Sequence, residues 1–91
     1  MKKFLIERDI PGVGDLDACS LAAAAGRSNA ALATLAPEIQ WQHSYVAGNK
    51  TFCIYLAENE GVIRAHAERS GFPATRITEI RTVIDPTTAI G

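Results

Sequence analysis

The stretch from Glu38 to Leu56 limits the fold more than any other part of the chain. It holds two runs of alternating character, Ile39-Gln40-Trp41-Gln42-His43-Ser44-Tyr45-Val46 and Thr51-Phe52-Cys53-Ile54-Tyr55-Leu56, joined by Ala47-Gly48-Asn49-Lys50. Side chains alternate across a strand, so Ile39, Trp41, His43 and Tyr45 share one face of the first run and Gln40, Gln42 and Ser44 the other. In the second run Phe52, Ile54 and Leu56 form an unbroken apolar face, with Thr51, Cys53 and Tyr55 as its complement. A β-hairpin is the expected result. If the apolar trio packs under helices, Cys53 and Tyr55 are turned to the opposite face of the sheet. Tyr45 and His43 join them there only if the loop holds an odd number of residues, for example three centred on Gly48 and Asn49. The expected candidate site is therefore a sheet surface carrying Trp41, His43, Tyr45, Cys53 and Tyr55.

The flanking segments supply two strands and two helices. Lys3 to Asp9 reads as a strand, with Phe4 and Ile6 on one face and Leu5, Glu7 and Asp9 on the other. Ile10-Pro11-Gly12-Val13-Gly14 is a loop, and it lacks the third glycine of a dinucleotide fingerprint. A helix is expected from about Leu16 to Leu35, capped by Asp15 or a neighbour, with Asp17 near the positive end of its dipole and Pro37 limiting its other end. Cys19, Ala22, Ala23, Gly26, Ala30 and Ala33 recur at helical steps, a stripe of small residues expected to face the sheet with Gly26 at the closest approach. Cys19 would then lie across the sheet from Cys53, too far for an intrachain disulfide.

Asn59 or Glu58 starts a second helix running through Arg69, with Glu60, Arg64 and Glu68 as a solvent-facing charge ladder. His66 points away from that ladder, toward the protein or an interface. Gly71 suits a left-handed helix stop and Pro73 prevents continuation. The β-branched run Ala74 to Ile84 reads as the last strand, with Glu79 and Arg81 on one face. The order strand, helix, strand, strand, helix, strand predicts an α+β, ferredoxin-like βαββαβ domain over residues 1–91. Its antiparallel sheet would have the strand order fourth, first, third, second, with both helices on one face.

Composition narrows the function. A chain of 91 residues makes one small domain, which buries only about two-thirds of the surface exposed when unfolded, so association would help it. A net charge of −1, with scattered Lys and Arg, disfavours nucleic acid. Glu7, Arg8 and Asp9 interrupt the apolar run after Met1-Lys2-Lys3, so neither a signal peptide nor a membrane span is expected, and the cytoplasm is the expected location. Two cysteines without close spacing make neither a disulfide framework nor a zinc knuckle. The open sheet face would collect Leu5, Glu7, Trp41, His43, Tyr45, Cys53, Tyr55, Glu79 and Arg81. So aromatic a surface calls for a cover, and a two-fold homodimer enclosing a shared chamber is the simplest one. Arg81 would neutralise Glu7 or Glu79, leaving the other carboxylate as a ligand beside His43 and Cys53.

The run Ile39 to Val46, then Arg64-Ala65-His66-Ala67, Gly71-Phe72-Pro73-Ala74 and Val83-Ile84-Asp85-Pro86-Thr87-Thr88, resembles a bacterial family of small proteins known as a domain of unknown function. The opening Phe4 to Gly14, with Ile6-Glu7-Arg8 and Pro11-Gly12, also looks like that family. The resemblance implies a ferredoxin-like dimer that binds and responds to nickel. Divalent nickel accepts imidazole, carboxylate and thiolate donors, so His43, Cys53 and Glu7 are the expected set, with His66 at a separate site or a dimer contact. Neither His-x-x-x-His nor Cys-x-x-Cys occurs. Two other readings start from the same lining. One is a small-molecule enzyme of the dimeric α/β-barrel type, using His43 with Tyr45 or Glu7 as acid and base. The other is a non-catalytic dimer in which Trp41 and Tyr55 are interface anchors and Glu79 with Arg81 a structural ion pair.

Overall fold

A computed structural model describes residues 1–91. In chain order they form β1 (Lys2–Asp9), α1 (Ala18–Ala33), β2 (Ile39–Val46), β3 (Lys50–Ala57), α2 (Glu60–Ser70) and β4 (Arg76–Ile80), with short 3-10 turns at Val13–Asp15 and Pro86–Ala89. The strands pair antiparallel in the order β2-β3-β1-β4, the expected order read from the other edge. This is the ferredoxin-like α+β arrangement. No helix is long and apolar enough to cross a membrane.

Local chemistry places the helix ends. The Asp17 carboxylate accepts the backbone N–H of Ser20 at 2.7 Å, and Asn59 accepts that of Val62 at 3.0 Å, so each helix starts on a side-chain cap. α2 stops at Gly71, whose φ of 79° is the left-handed geometry open to a residue without Cβ. β4 is shorter than the β-branched run suggests. Ile80 already pairs with Lys3, so β1 has almost no chain left to template residues beyond it.

The helices cover the sheet face that the hairpin pattern assigned to the open side. Phe4 pairs with Tyr55, Ile6 with Cys53 and Arg8 with Thr51, and all six are buried. Ser28 of α1 and His66 of α2 both reach this face, so the helices share it. Phe52, Ile54 and Leu56 are half-buried on the other side. As a central strand β3 is apolar on both faces, and its alternation does not say which face goes inward. Tyr55 decides, because its ring packs beside Trp41 and His66, with centroids at 6.4 and 5.3 Å, and its hydroxyl meets Ser28 under α1.

Loop parity separates the rest of the expected surface. Val46 pairs with Thr51, leaving four residues between them, an even number that puts Tyr45 with Phe52 and His43 with Ile54. A bulge between Trp41 and His43 then returns Trp41 to the side of Tyr55. Trp41, Cys53 and Tyr55 therefore lie beneath the helices, and His43 and Tyr45 lie on the open face.

α1 is also rotated from expectation. Cys19, Ala22, Ala23, Gly26, Ala30 and Ala33 are exposed, and a Cβ added at Gly26 would meet nothing within 4 Å. The inward face holds Leu21, Ala24, Ala25, Ser28, Ala31 and Leu32. Burying Leu21, Leu32 and the nearby Leu35 removes more apolar area from water than burying alanines, so the leucines orient the helix. Both thiols are free: Cys19 is exposed on the outer side of α1, and Cys53 is buried in the core.

Candidate functional site

The open sheet face holds the exposed donors but does not gather them. Across the strands, His43, Ile54, Leu5 and Thr78 form one row, and Tyr45, Phe52, Glu7 and Arg76 form the next. Glu7 is thus two strands from His43 and one row along, a backbone separation of about 12 Å. Its carboxylate meets Lys50 at 3.7 Å and Arg76 at 3.9 Å. The imidazole of His43 packs edge-on against the Tyr45 ring, with centroids 5.2 Å apart.

The other expected ligands lie elsewhere. Cys53 is on the far side of the sheet, and His66 is fully buried beneath the helices, so neither joins His43 or serves a surface site. Glu79 pairs with Phe4, which turns it to the helical side, where it lies 4.0 Å from Lys2 at the sheet edge. Arg81 falls outside β4 and is exposed, so Lys50 and Arg76 take the place expected for it beside Glu7. No three of the His, Cys, Asp and Glu side chains in one chain come together as a metal-binding group.

Beneath the helices is a polar cluster that the alternation of the hairpin does not reveal. Arg8 is only 3% exposed and His66 is 0% exposed. Arg8 Nη1 donates to the carbonyls of Phe72 at 3.2 Å and Pro73 at 3.0 Å, and Nη2 approaches His66 Nδ1 at 3.5 Å. A guanidinium can only donate, so Nδ1 accepts and the imidazole proton sits on Nε2, which donates to Ser28 Oγ at 3.1 Å. Ser28 Oγ lies 3.5 Å from the Tyr55 hydroxyl, and Arg8 Cζ is 6.0 Å from the Tyr55 ring centroid. Burial and then the Arg8 charge push the His66 pKa down to about 4, so the ring is neutral at pH 7. Burial raises the Tyr55 pKa and keeps the phenol protonated. The signal for Arg8 was present in the sequence: it continues the alternation of Phe4 and Ile6 on the inward face of β1.

Next to the cluster, between α1 and the β2–β3 half of the sheet, is a cavity of about 420 Å³. Arg8, Ser28, Thr51, Cys53 and Tyr55 contribute to its lining, and Val13, Leu21, Ala24, Trp41 and Phe72 are among its apolar residues. The void follows from the α1 sequence. Where longer side chains would fill the space between helix and sheet, this helix has Ser20, Ala24, Ala25 and Ser28.

Fold and pairing define a ferredoxin-like α+β domain with an open sheet face and a cavity between sheet and helix. The chain belongs to the family of SCO4226-like nickel-responsive proteins, whose sequence model matches residues 4–80. Its fold is similar to the crystal structure of SCO4226 from Streptomyces coelicolor A3(2), with a TM-score of 0.69 and 22% sequence identity, covering 90% of this chain and 99% of that one. None of the curated proteins compared with the chain matches it.

Proposed function

We propose that the protein is a metal-binding, nickel-responsive homodimer that takes its ion at the open sheet face through His43. Family membership supports the metal. Of the two histidines, only His43 is solvent-exposed, and that exposure carries the reading. One chain offers an imidazole but no closed ligand set, so its donors fit nickel only as half of a site. A second copy facing the first supplies the other imidazole, and water fills the remaining positions that nickel accepts. Leu5, Phe52, Ile54 and Leu56 are half-buried on this face, and Tyr45 is 61% exposed, an apolar surface suited to such a cover.

The test is a calorimetric nickel titration of metal-free protein, with the oligomeric state followed by sedimentation. The expected result is saturable binding at one ion per two chains, lost in His43→Ala. No saturable binding tighter than about 1 mM, which corresponds to roughly 4 kcal/mol, would remove the proposal. Unchanged binding in His43→Ala would remove His43 from it.

A further inference from the structure

We propose that the cavity beneath α1 binds a small carboxylic acid with an apolar, ring-sized body, its carboxylate set against Arg8. The site is separate from the open sheet face and does not depend on metal. Its basis is an unbalanced charge. Arg8 is 3% exposed, yet the acidic side chains of the chain form their ion pairs with Lys2, Lys50, Arg64 and Arg76. Burying a cation away from water is expensive unless an anion accompanies it. The partners Arg8 has are two carbonyls and one neutral imidazole. Those bonds use three of the five guanidinium N–H groups and leave the Nε–H and one Nη2–H unused; because every fully buried side-chain nitrogen has a partner, Nε borders accessible space, which the cavity that Arg8 lines provides. A carboxylate is the ligand whose two oxygens match such a pair of donors. The Ser28 and Tyr55 hydroxyls also line the cavity and share one hydrogen bond, so one of their two O–H groups remains as a further donor for it.

The remaining walls specify the body of the ligand. Trp41, Tyr55 and Phe72 present aromatic surface, and Ala24 and Ala25 leave flat space opposite. A volume of about 420 Å³ falls in the range of small-molecule sites. It is nearly three times the roughly 150 Å³ that takes a benzene molecule, so a two-ring acid fits. Leu16 and Val46, 41% and 47% exposed, belong to the same lining and give the cavity an apolar mouth. Arg27, whose Cζ is 5.2 Å from the Phe72 ring centroid, adds a second cation at the rim to attract an anion.

The probes are 2-naphthoate and 2-naphthamide, which have the same shape and differ in charge. Binding to the full chain is read by calorimetry. The acid is expected to bind at least about tenfold more tightly than the amide, the low end for a charge-assisted pair. Arg8→Met should bring the two affinities together. Ala24→Leu fills the cavity from α1 without touching Arg8, and should weaken both probes by about tenfold or more. If circular dichroism shows Arg8→Met unfolded, the acid-to-amide ratio and the Ala24→Leu result decide alone. Equal affinities in the unsubstituted protein, no binding of the acid at about 1 mM, or full binding by Ala24→Leu would each overturn the proposal.

Discussion

The two faces of the sheet hold residues of similar kind and treat them in opposite ways. Beneath the helices, an arginine, a histidine, a serine and a tyrosine are bonded to one another among Phe4, Ile6 and Ile63. On the open face, Glu7, His43 and Tyr45 lie among Leu5, Phe52 and Ile54, and of these three Glu7 alone meets opposite charge, in two loose contacts with lysine and arginine. Burial makes the difference. Where water is excluded each polar atom needs a fixed partner, so the histidine, serine and tyrosine of the covered face are held in one arrangement beside Arg8. Where water remains, side chains stay free to meet a metal or a second copy. A histidine's role in this chain is therefore read from its layer: His66 is held neutral as a structural acceptor and donor, and His43 is available.

Substitutions that probe the two layers should differ most in stability. Ile6→Ala, in the covered layer, should cost about 2–5 kcal/mol in urea unfolding, and Leu5→Ala, next to it on the open face, should cost less than half as much in dilute monomer. Equal costs would erase the distinction between the faces. A dimer closed through the open face would instead make the Leu5→Ala cost depend on protein concentration.

The next effect is that of pH. Above pH 6.5 His66 is neutral whether folded or unfolded, and contributes nothing. Between 6.5 and about 4 the unfolded chain takes up a proton that the folded one refuses, so stability falls as pH falls. The full loss is on the order of 3 kcal/mol, of which about 2 kcal/mol should appear between pH 7 and pH 5. His66→Gln should flatten that slope, and a slope that persists would assign it to other groups.

Smaller effects follow. Asp17→Ala removes the cap of α1, the helix that roofs the cavity, and should cost about 1 kcal/mol by thermal unfolding. His43→Ala should change the stability of the metal-free protein by less than about 0.5 kcal/mol, as expected of an exposed position. A larger cost would mean that its edge-on packing against Tyr45 is structural.

Much of the architecture was legible in the residues. The element order follows from alternation and helical spacing, the start of α2 from Asn59, its stop from Gly71, and the four-stranded order from two split crossovers. The candidate site was harder to read because it depends on parity. One even-numbered loop puts Cys53 and His43 on opposite sides of the sheet, one bulge beside Gln42 parts Trp41 from His43, and a single residue is enough to move a strand's whole side-chain set to the other face. Arg8 was overlooked for a related reason. Charge suggests an outward position, and only its register with Thr51 and the acceptors at Phe72, Pro73 and His66 make an inward one tolerable.

The sequence by itself determined which segments are strands and helices and the order in which they join, because those properties arise from neighbours along the chain. Tertiary structure alone decided which face of β3 is covered, how α1 is turned, and that a buried cation sits beside an apolar cavity. Each of those outcomes depends on partners far apart in the chain, and only packing brings them within reach.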